Sequence, residues 1–348
     1  MTSAPTINDV ARAAGVSVAT VSRVLNNKGD VAPATRRAVH EVIASLRFAP
    51  RSSRRRRAAD RGRSRTLSLM FPTSVQGLTS FDLDFVMGAA TATDDRDYSF
   101  NVVTRTLAPQ QLRQLVEPGN LDGVILMQTL VQDWRVELLT SMGFPFVAIG
   151  APPEPSTTNY VDFDLEGAVR HLVDLLVLLG HRDIGFISRP QAHVDAGVGS
   201  AVRLLAAHER VMNTHGLPRH VIAVDLDEEA AGRAARELLR REPAITALLT
   251  THGSAAAGVL TALRQDGVGV PQDVSVVSIS TSFIARLLTP ELTHVHFPSA
   301  ELGYRAAAIL VRQLEELAAG GSPDPDSFRF SATLSMGAST SAVSRVAS

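Results

Sequence analysis

The sequence predicts an α/β protein in which a small all-α domain precedes two doubly wound lobes, each built on a parallel sheet. Three observations carry this prediction. Residues 7–46 contain three short segments whose apolar residues recur at helical spacing. From Thr66 onward, short apolar runs alternate with amphipathic helical segments, a pattern typical of parallel sheets covered by helices on both faces. These runs number more than eight, which favours two sheets over one.

The N-terminal segments predict a helix-turn-helix followed by a third helix. Gly15 can adopt the left-handed conformation that ends a first helix, and Ser17 can cap a second helix over residues 17–25. Two helices of this length joined by a glycine-containing turn form a helix-turn-helix. Pro33 suits the first turn of the third helix. The expected inward positions are Ile7, Val10, Ala11, Ala14, Val21, Val24, Leu25, Val39, Val42, Ile43 and Leu46.

The remaining chain predicts the strands of the two lobes. The apolar runs are residues 66–71, 100–104, 123–127, 144–150, 184–188, 221–226, 245–250, 274–280 and 293–297. Ligands bind outside the carboxyl ends of strands in open parallel sheets, so a crevice between the two lobes is the expected ligand site. Residues 336–348 are small and polar, and we expect them to lack fixed structure.

Composition excludes several classes of protein. The 348 residues include 45% hydrophobic and 20% charged residues, and their longest apolar runs are too short to span a bilayer, so no membrane partner is expected. Without cysteine the chain can form neither disulfides nor thiolate metal sites, and no cofactor is expected. The N-terminus lacks a secretory signal pattern, so we expect a cytoplasmic protein.

Charge is distributed unevenly along the chain. Residues 1–65 carry fourteen Lys or Arg and four Asp or Glu, a formal charge of +10, which leaves −11 for the rest of the chain. Eight of the arginines fall in PRSSRRRRAADRGRSR, residues 50–65. Clustered cations gain affinity for nucleic acid by releasing its condensed counterions. The basic head therefore predicts a polyanionic partner.

Over nearly its whole length, the chain resembles the LacI/GalR family of bacterial transcription regulators. The resemblance is densest in TINDVARAAGVSVATVSRVLNNKGDVAPATRRAV, residues 6–39, and is supported by LLGHRDIGFI, PQDVSVVSI and LTPELTHVHFP. It implies a helix-turn-helix head, an effector body like a periplasmic binding protein, and a homodimer. The expected partners are a double-stranded DNA operator and a small-molecule effector of unknown identity, and the operator implies association with the nucleoid.

The resemblance assigns DNA-contacting positions to the head. Val18, Ala19 and Arg23 occupy the positions that read base edges in the major groove, where arginine can bind guanine O6 and N7 together. Short hydrogen-bonding side chains could reach phosphates; for Thr20 and Ser22 the alternative is an exposed, solvated helix face. These side chains are Thr6, Ser17, Thr20, Ser22 and Asn26.

Residues 50–65 correspond to the family's hinge, which joins head to body and orders in the minor groove. The alternatives for such a run are a flexible tail or a nuclear localisation patch. Arg57 stands where the family carries a leucine that wedges into the central base step. Our hypothesis is that Arg54, Arg55 and Arg57 enter a narrow, electronegative minor groove instead. Their mutual repulsion would keep the hinge unfolded until phosphates neutralise it.

The resemblance also assigns effector contacts to the cleft. Arg203 is the arginine that commonly contacts the effector, and an exposed helix arginine is its alternative. Where relatives carry carboxylates, amides or another polar group, this chain has different residues, which weakens a simple sugar interpretation. An anionic or less hydroxylated effector, or no effector, is then an alternative to a sugar. The substituted positions are Thr251, His252, Ser280 and Phe297; Phe81 corresponds to an aromatic contact, with core packing as its alternative.

These inferences define an expected organisation. The head spans 1–49, the hinge 50–65 and the body 66–340. The resemblance places lobe one at about 66–162 and 295–326, and lobe two at about 163–294 and 327–338.

The expected function is that of a repressor that binds a palindromic operator, its affinity controlled by an effector such as a sugar or related metabolite. The alternatives are a regulator without effector control or a solute-binding protein. We expect no metal site, because the sequence places no third ligand beside His294 and His296. We expect no enzyme, because no nucleophile elbow, phosphate loop or Ser/His/Asp arrangement is recognisable.

Overall fold

The computed structural model describes residues 7–25, 31–46, 64–71, 80–152 and 158–343. The chain divides into two compact units, Met1–Ser64 and Arg65–Ser348. The first contains the three predicted helices, and the second contains two parallel-sheet lobes, which confirms the predicted fold class. None of the described helices is long and apolar enough to cross a membrane.

The N-terminal unit contains α1 (Ile7–Ala13), α2 (Val18–Leu25) and α3 (Pro33–Ser45). Gly15 has φ +64°, the left-handed conformation predicted for the turn. The Ser17 hydroxyl accepts a hydrogen bond from the Thr20 amide at 3.1 Å, so Ser17 caps α2 as expected. The described core of this unit consists of Val10, Ala11, Val21, Val24, Val31 and Val39.

Lobe one is built on six parallel strands in the order β2-β1-β3-β4-β5-β11. Their bounds are β1 Thr66–Met70, β2 Ser99–Val103, β3 Gly123–Leu126, β4 Phe146–Ile149, β5 Tyr160–Phe163 and β11 Ser327–Phe330. The helices of this lobe are α4 Ser80–Asp94, α5 Pro109–Leu115, α6 Trp134–Ser141 and α13 Ser299–Ala318. Helices α4 and α13 cross closely, with Gly88 facing Ala300 and Gly303 facing Phe85.

Lobe two repeats this order as β7-β6-β8-β9-β10-β12, with only β12 antiparallel among its described strands. Their bounds are β6 Ile184–Ser188, β7 His220–Ala223, β8 Ala247–Thr250, β9 Ser275–Ser280, β10 Thr293–His296 and β12 Leu334–Ser335. The helices are α7 Leu165–Leu178, α8 Gln191–Asp195, α9 Gly199–Thr214, α10 Glu228–Arg241, α11 Gly253–Gln265 and α12 Ser282–Leu287.

Strand pairing places two segments differently from the expected lobe limits. All of β10 pairs with β9 in lobe two, whereas residues 295 and 296 were expected in lobe one. Strand β11 pairs with β5 in lobe one, whereas residues 327–330 were expected in lobe two. The reason is that backbone pairing within this chain determines the sheet to which each strand belongs, whereas the expected limits came from the resemblance alone.

The C-terminal segment is more ordered than the sequence predicted. Ser339 is fully buried, its hydroxyl donating to the Val276 carbonyl at 2.6 Å and accepting from the Thr293 amide at 2.8 Å. The Nε2 atom of the buried His181 ring lies 3.1 Å from the Ser341 carbonyl oxygen. The expectation of no fixed structure is therefore wrong for residues 336–343, because small polar side chains here complete the hydrogen bonding of buried strands.

Candidate DNA-reading helix and inter-lobe cavity

Helix α2 presents its expected base-reading positions outward. Val18, Ala19 and Arg23 are exposed, with 41% of Val18 accessible to solvent. The Ser17 and Thr20 hydroxyls lie 2.8 Å apart at the start of the helix. The other predicted DNA contacts fall outside the described residues or side chains: Thr6, Ser22, Asn26, Arg54, Arg55 and Arg57.

A cavity of about 120 Å³ lies between the two lobes of the second unit. Its walls include residues at or just after the carboxyl ends of strands from both sheets, the position expected for ligand sites in this architecture. The polar residues lining it are Asp82, Gln128, Thr129, Asp162, Arg189, Ser200, Arg203, His252 and Ser254.

An ion pair crosses this cleft. Arg203, on α9 of lobe two, donates to both carboxylate oxygens of Asp162, on β5 of lobe one, each bond measuring 2.8 Å. Arg329 also approaches Asp162, with 3.2 Å between Nε and Oδ2. The Asp162 side chain is only 2% exposed, and Arg203 Nε is buried with no hydrogen-bond partner. Arg203 is therefore a component of the cleft rather than a solvated helix arginine.

His252 presents an unpartnered donor to the cavity. The residue caps α11, its Nδ1 accepting from the Ala255 amide at 3.1 Å, so a neutral ring carries its proton on Nε2. That Nε2 is buried and unpartnered. Burial, and then the charge of Arg189, lower the pKa of His252 to about 3. The ring is neutral near pH 7 and offers one N–H to a ligand.

Arg189 is a cavity residue that sequence reasoning missed. It directly follows β6, lines the cavity, and has a buried Nε without a hydrogen-bond partner. Burial lowers the pKa of Arg189, an effect that the charge of Asp82 opposes. The available signal was its position one residue after a predicted strand, the same rule that located the crevice.

Aromatic rings form an apolar wall of the cavity. Phe297 meets Phe163 edge to face at a centroid distance of 5.1 Å and Phe85 at 6.0 Å. Phe297 thus lines the cavity together with Phe85 and Phe163.

Two predicted effector contacts lie elsewhere, and a third cannot be placed. Thr251 and Ser280 are buried outside the cavity lining, and Ser280 donates its hydroxyl to the Thr281 carbonyl. Successive residues of extended chain point in opposite directions, so Thr251 turns inward where His252 turns to the cavity. Phe81 is the second residue of α4, and its side chain lies outside the described part of the chain.

A backbone contact joins the lobes beside the cavity. The Gly199 amide donates to the Thr129 carbonyl at 2.9 Å, and the Val131 amide donates to the Gly197 carbonyl at 2.8 Å. Leu130 and Val198 form the antiparallel bridge between these bonds. We call these six residues, 129–131 and 197–199, the inter-lobe bridge.

A buried ion pair in lobe one shapes the chain that enters this bridge. Asp133 and Arg135 are 2.6 Å apart, and Arg135 also donates to the carbonyls of Met127 and Gln128. Burial alone would raise the pKa of Asp133, but Arg135 and the amides of Leu130 and Arg135 hold it below its usual value. Gln128 has φ +48°, a conformation uncommon for residues other than glycine. The pair therefore fixes a strained turn at the cavity edge.

The histidine pair of β10 is used within the fold. Ser282 Oγ lies 3.1 Å from both His294 Nε2 and His296 Nδ1, at the start of α12. Within the described part of the chain, no cluster of three or more His, Asp or Glu side chains could hold a metal ion.

The fold and its two sites define a class: a regulator with a helix-turn-helix head and a two-lobed ligand-binding body. Residues 6–51 match the family model for bacterial regulatory proteins of the lacI family, and residues 173–340 match the periplasmic binding protein-like domain. The chain belongs to the lacI family and is a DNA-binding transcriptional regulator.

Individual relatives agree with this membership. The chain is 32% identical over 324 residues to the transcriptional regulator CelR of Thermobifida fusca, covering 89% of this chain and 92% of that protein. It is 26% identical over 323 residues to catabolite control protein A of Priestia megaterium, covering 89% and 93%. These alignments extend over head and body together.

Solved structures resemble it over the same extent. The CelR–cellobiose complex superposes with a TM-score of 0.69 at 28% identity, covering 96% of this chain and 99% of that one. The lac repressor dimer bound to operator and the anti-inducer ONPF superposes with a TM-score of 0.70 at 21% identity, covering 98% and 100%. The second likeness is one of fold.

Proposed function

We propose that the protein is a homodimeric repressor of a palindromic operator and that a small molecule in the inter-lobe cavity controls its affinity. The observation that carries the proposal is the Asp162–Arg203 pair, which crosses the cleft beside unpartnered donors. CelR, a relative, has been solved with cellobiose, and the lac repressor dimer with its operator and an anti-inducer. These two complexes support the same arrangement here.

Control by ligand follows from the position of this pair. A ligand that binds Arg203 must compete with Asp162 or add to the pair, and either event changes the stability of the closed cleft. A ligand shifts an equilibrium between conformations only through such differential contacts. Lobe geometry would then act on the hinge and on operator affinity.

Exposed apolar surface supports the homodimer. Leu83 and Met87 lie one turn apart on α4 and are 52% and 64% exposed. Phe283 and Leu287 lie one turn apart on α12 and are each 64% exposed. Large apolar side chains clustered on helix faces mark association surfaces in soluble proteins. We propose that these two faces are covered by the second subunit.

In the proposed complex, Val18, Ala19 and Arg23 read the major groove, while Arg54, Arg55 and Arg57 enter the minor groove between half-sites. The net charge of +10 over residues 1–65 supports this assignment. An Arg57→Ala variant should weaken operator binding and reduce the slope of log affinity against log salt by about 1. Unchanged affinity and slope would remove Arg57 from the interface.

The proposal is tested by footprinting the genome with purified protein to find the operator, followed by gel-shift titrations of metabolites suggested by the target genes. A controlling metabolite should change operator affinity in the wild type and lose its effect in Arg203→Ala. Arg210→Ala is the matched control, because Arg210 lies on the same helix but pairs with Glu166 at 2.7 Å outside the cavity.

One observation favours a second candidate, a regulator without effector control. Asp162 already neutralises the charge of Arg203 through two hydrogen bonds, as an acidic ligand would. A ligand that binds only the native state must raise thermal stability, so this measurement detects binding. For a regulator without effector control, the metabolites would change neither thermal stability nor operator affinity.

A further inference from the structure

We infer that the effector carries an oxyanion, a carboxylate or phosphate, and that Arg189 is the residue that binds it. The inference rests on the proposed function, because it concerns the same cavity, and it deepens that function by naming a ligand class and a residue. Arg189, on the lobe-two wall, is not one of the effector contacts that the sequence predicted.

The cavity has an excess of unmatched donors. Arg189 Nε, Arg203 Nε and His252 Nε2 are all buried, and none has a hydrogen-bond partner among the described residues. All three residues line the cavity and all three come from lobe two. A buried donor without a partner destabilises the fold, because it loses its hydrogen bonds to water and gains none in return. A ligand rich in oxygen acceptors removes that penalty at three positions together.

The charges distinguish Arg189 from Arg203. Arg203 is neutralised by Asp162 through two bonds of 2.8 Å. Arg189 forms no ion pair within 4.0 Å with any described carboxylate, although the charge of Asp82 acts on it from across the cavity. Burial, and then the charge of Arg189, lower the pKa values of His252 and His193. A desolvated cation with no counter-charge in contact favours an anionic ligand.

Backbone dipoles add to this field. Leu165, Ser200 and Gly253 line the cavity, and each lies in the first turn of a helix of at least thirteen residues, α7, α9 and α11. Helix N-termini carry partial positive charge and backbone N–H groups that favour anions. The buried His252 donor lies at the start of α11, so dipole and side chain converge there.

A neutral polyol is the competing ligand, since hydroxyl oxygens can also accept these bonds. Hydrogen bonds between a guanidinium and an oxyanion are roughly twice as strong as neutral ones. A hydroxyl would satisfy the geometry of Arg189 but leave its charge uncompensated. Gln128 and Thr129, which also line the cavity, can accept hydrogen bonds from hydroxyl groups elsewhere on the ligand.

The test uses purified full-length protein and matched triplets of neutral sugar, corresponding sugar acid and sugar phosphate, with glucose, gluconate and glucose 6-phosphate as the first triplet. Thermal shift and calorimetry are measured at constant ionic strength, for the wild type, Arg189→Gln and the control Arg233→Gln. Arg233 pairs with the exposed Glu229 on α10, away from the cavity. Operator binding by each variant, without ligand, verifies folding.

We expect an oxyanion member to bind the wild type and the control, and to bind Arg189→Gln at least about tenfold more weakly, the effect of losing one charge-assisted contact. Acid-only binding assigns a carboxylate, and phosphate-only binding assigns a phosphate. The inference would be overturned if neutral sugars bound as tightly as their acids and if their affinity were unchanged in Arg189→Gln. Effector control would still stand in that case if the sugars changed operator affinity. If no member binds and operator affinity stays constant, both proposals fail.

Discussion

Lobe one and lobe two place six strands in the same spatial order, yet they bring different chemistry to the cavity they share. Lobe two supplies the donors Arg189, Arg203 and His252. Lobe one supplies the carboxylate of Asp162 and the aromatic rings of Phe85 and Phe163. The repeated topology determines where the site lies, whereas the residues that follow each strand determine what the site can bind.

The lobes also differ in what they bury. Lobe two encloses four histidines, His181, His208, His252 and His294, each no more than 4% exposed. Lobe one has no buried histidine among its described residues, but it contains the Asp133–Arg135 pair. The buried ion pair of lobe one thus lies beside the inter-lobe bridge, whereas the buried histidines of lobe two lie within that lobe.

The largest effect is expected from Asp133→Ala in lobe one. The substitution leaves Arg135 buried without its counter-charge, which should lower the free energy of unfolding by about 3–5 kcal/mol. Asp133 also caps α6, so the matched control is Asp227→Ala in lobe two. Asp227 caps α10 through the Ala230 amide but has no buried partner, and its loss should cost about 1 kcal/mol. Urea denaturation measures both.

Equal costs for the two aspartates would mean that the ion pair adds nothing beyond the cap. A second readout concerns the inter-lobe bridge, whose amides at Val131 and Gly199 should exchange faster in Asp133→Ala than in the control. Unchanged exchange at both amides would contradict the idea that the pair positions the bridge.

The next effect tests whether the lobes are equivalent as packed units. A Cβ on Gly88 in lobe one would lie 1.9 Å from the Ala300 carbonyl oxygen, and a Cβ on Gly258 in lobe two would lie 1.9 Å from that of Glu228. Backbone cannot rotate away, so each Gly→Ala change must separate a helix pair and cost about 3 kcal/mol. Calorimetry should show similar losses for both variants.

Gly232→Ala is the control for the lobe-two variant. Its Cβ would meet the Gly258 carbonyl oxygen at 3.0 Å, a contact that small shifts can relieve. We expect a clearly smaller loss. A Gly88→Ala variant that is much more stable than Gly258→Ala would show that the lobes tolerate helix separation differently.

The contrast between the lobes marks the limit of sequence-based prediction. The helix-turn-helix and nine strands could be predicted because glycine and serine positions and apolar periodicity are local signals. Strand β11, with the sequence SFRF, escaped prediction because its residues are mostly exposed at a sheet edge. Its assignment to lobe one depends on pairing with β5, a contact between distant parts of the chain.

The site was predictable in location and only partly in composition. Arg203, His252 and Phe297 line the cavity as expected. Thr251 and Ser280 also follow or end strands, but their side chains turn into the lobe-two core. Side-chain direction at a strand end depends on where the strand stops, and a change of one residue reverses it.

The third effect is the dependence of stability on pH that the buried His208 of lobe two causes. His208 is fully buried, stacks on Phe186 at 4.2 Å, and has no partner for either ring nitrogen; burial, then Arg219, lower its pKa to about 4. The unfolded chain binds this proton near pH 6.5, so the resulting stability is complete above that pH and lost as pH falls towards 4. The loss is about 2 kcal/mol at pH 5.

His208→Leu should remove this pH dependence and raise stability at pH 7.5, because two unpartnered polar atoms leave the core. His208→Gln should also remove the dependence but without the gain, since it keeps a buried amide. Denaturation between pH 7.5 and 5 distinguishes the variants. Retention of the full wild-type slope in both would exclude His208 as the titrating group.

The smallest effect separates the two arginines that share Asp162, one from each lobe. Arg329 of lobe one has a side chain 55% exposed and contacts Asp162 at 3.2 Å, so Arg329→Gln should change stability by less than about 1 kcal/mol. Arg203→Gln removes two bonds across the cleft and should cost more, with loss of protection at the inter-lobe bridge that Arg329→Gln does not cause. Equal behaviour of the two variants in denaturation and in exchange would mean that Asp162 serves lobe one alone, and that closure of the cleft depends on the backbone bridge.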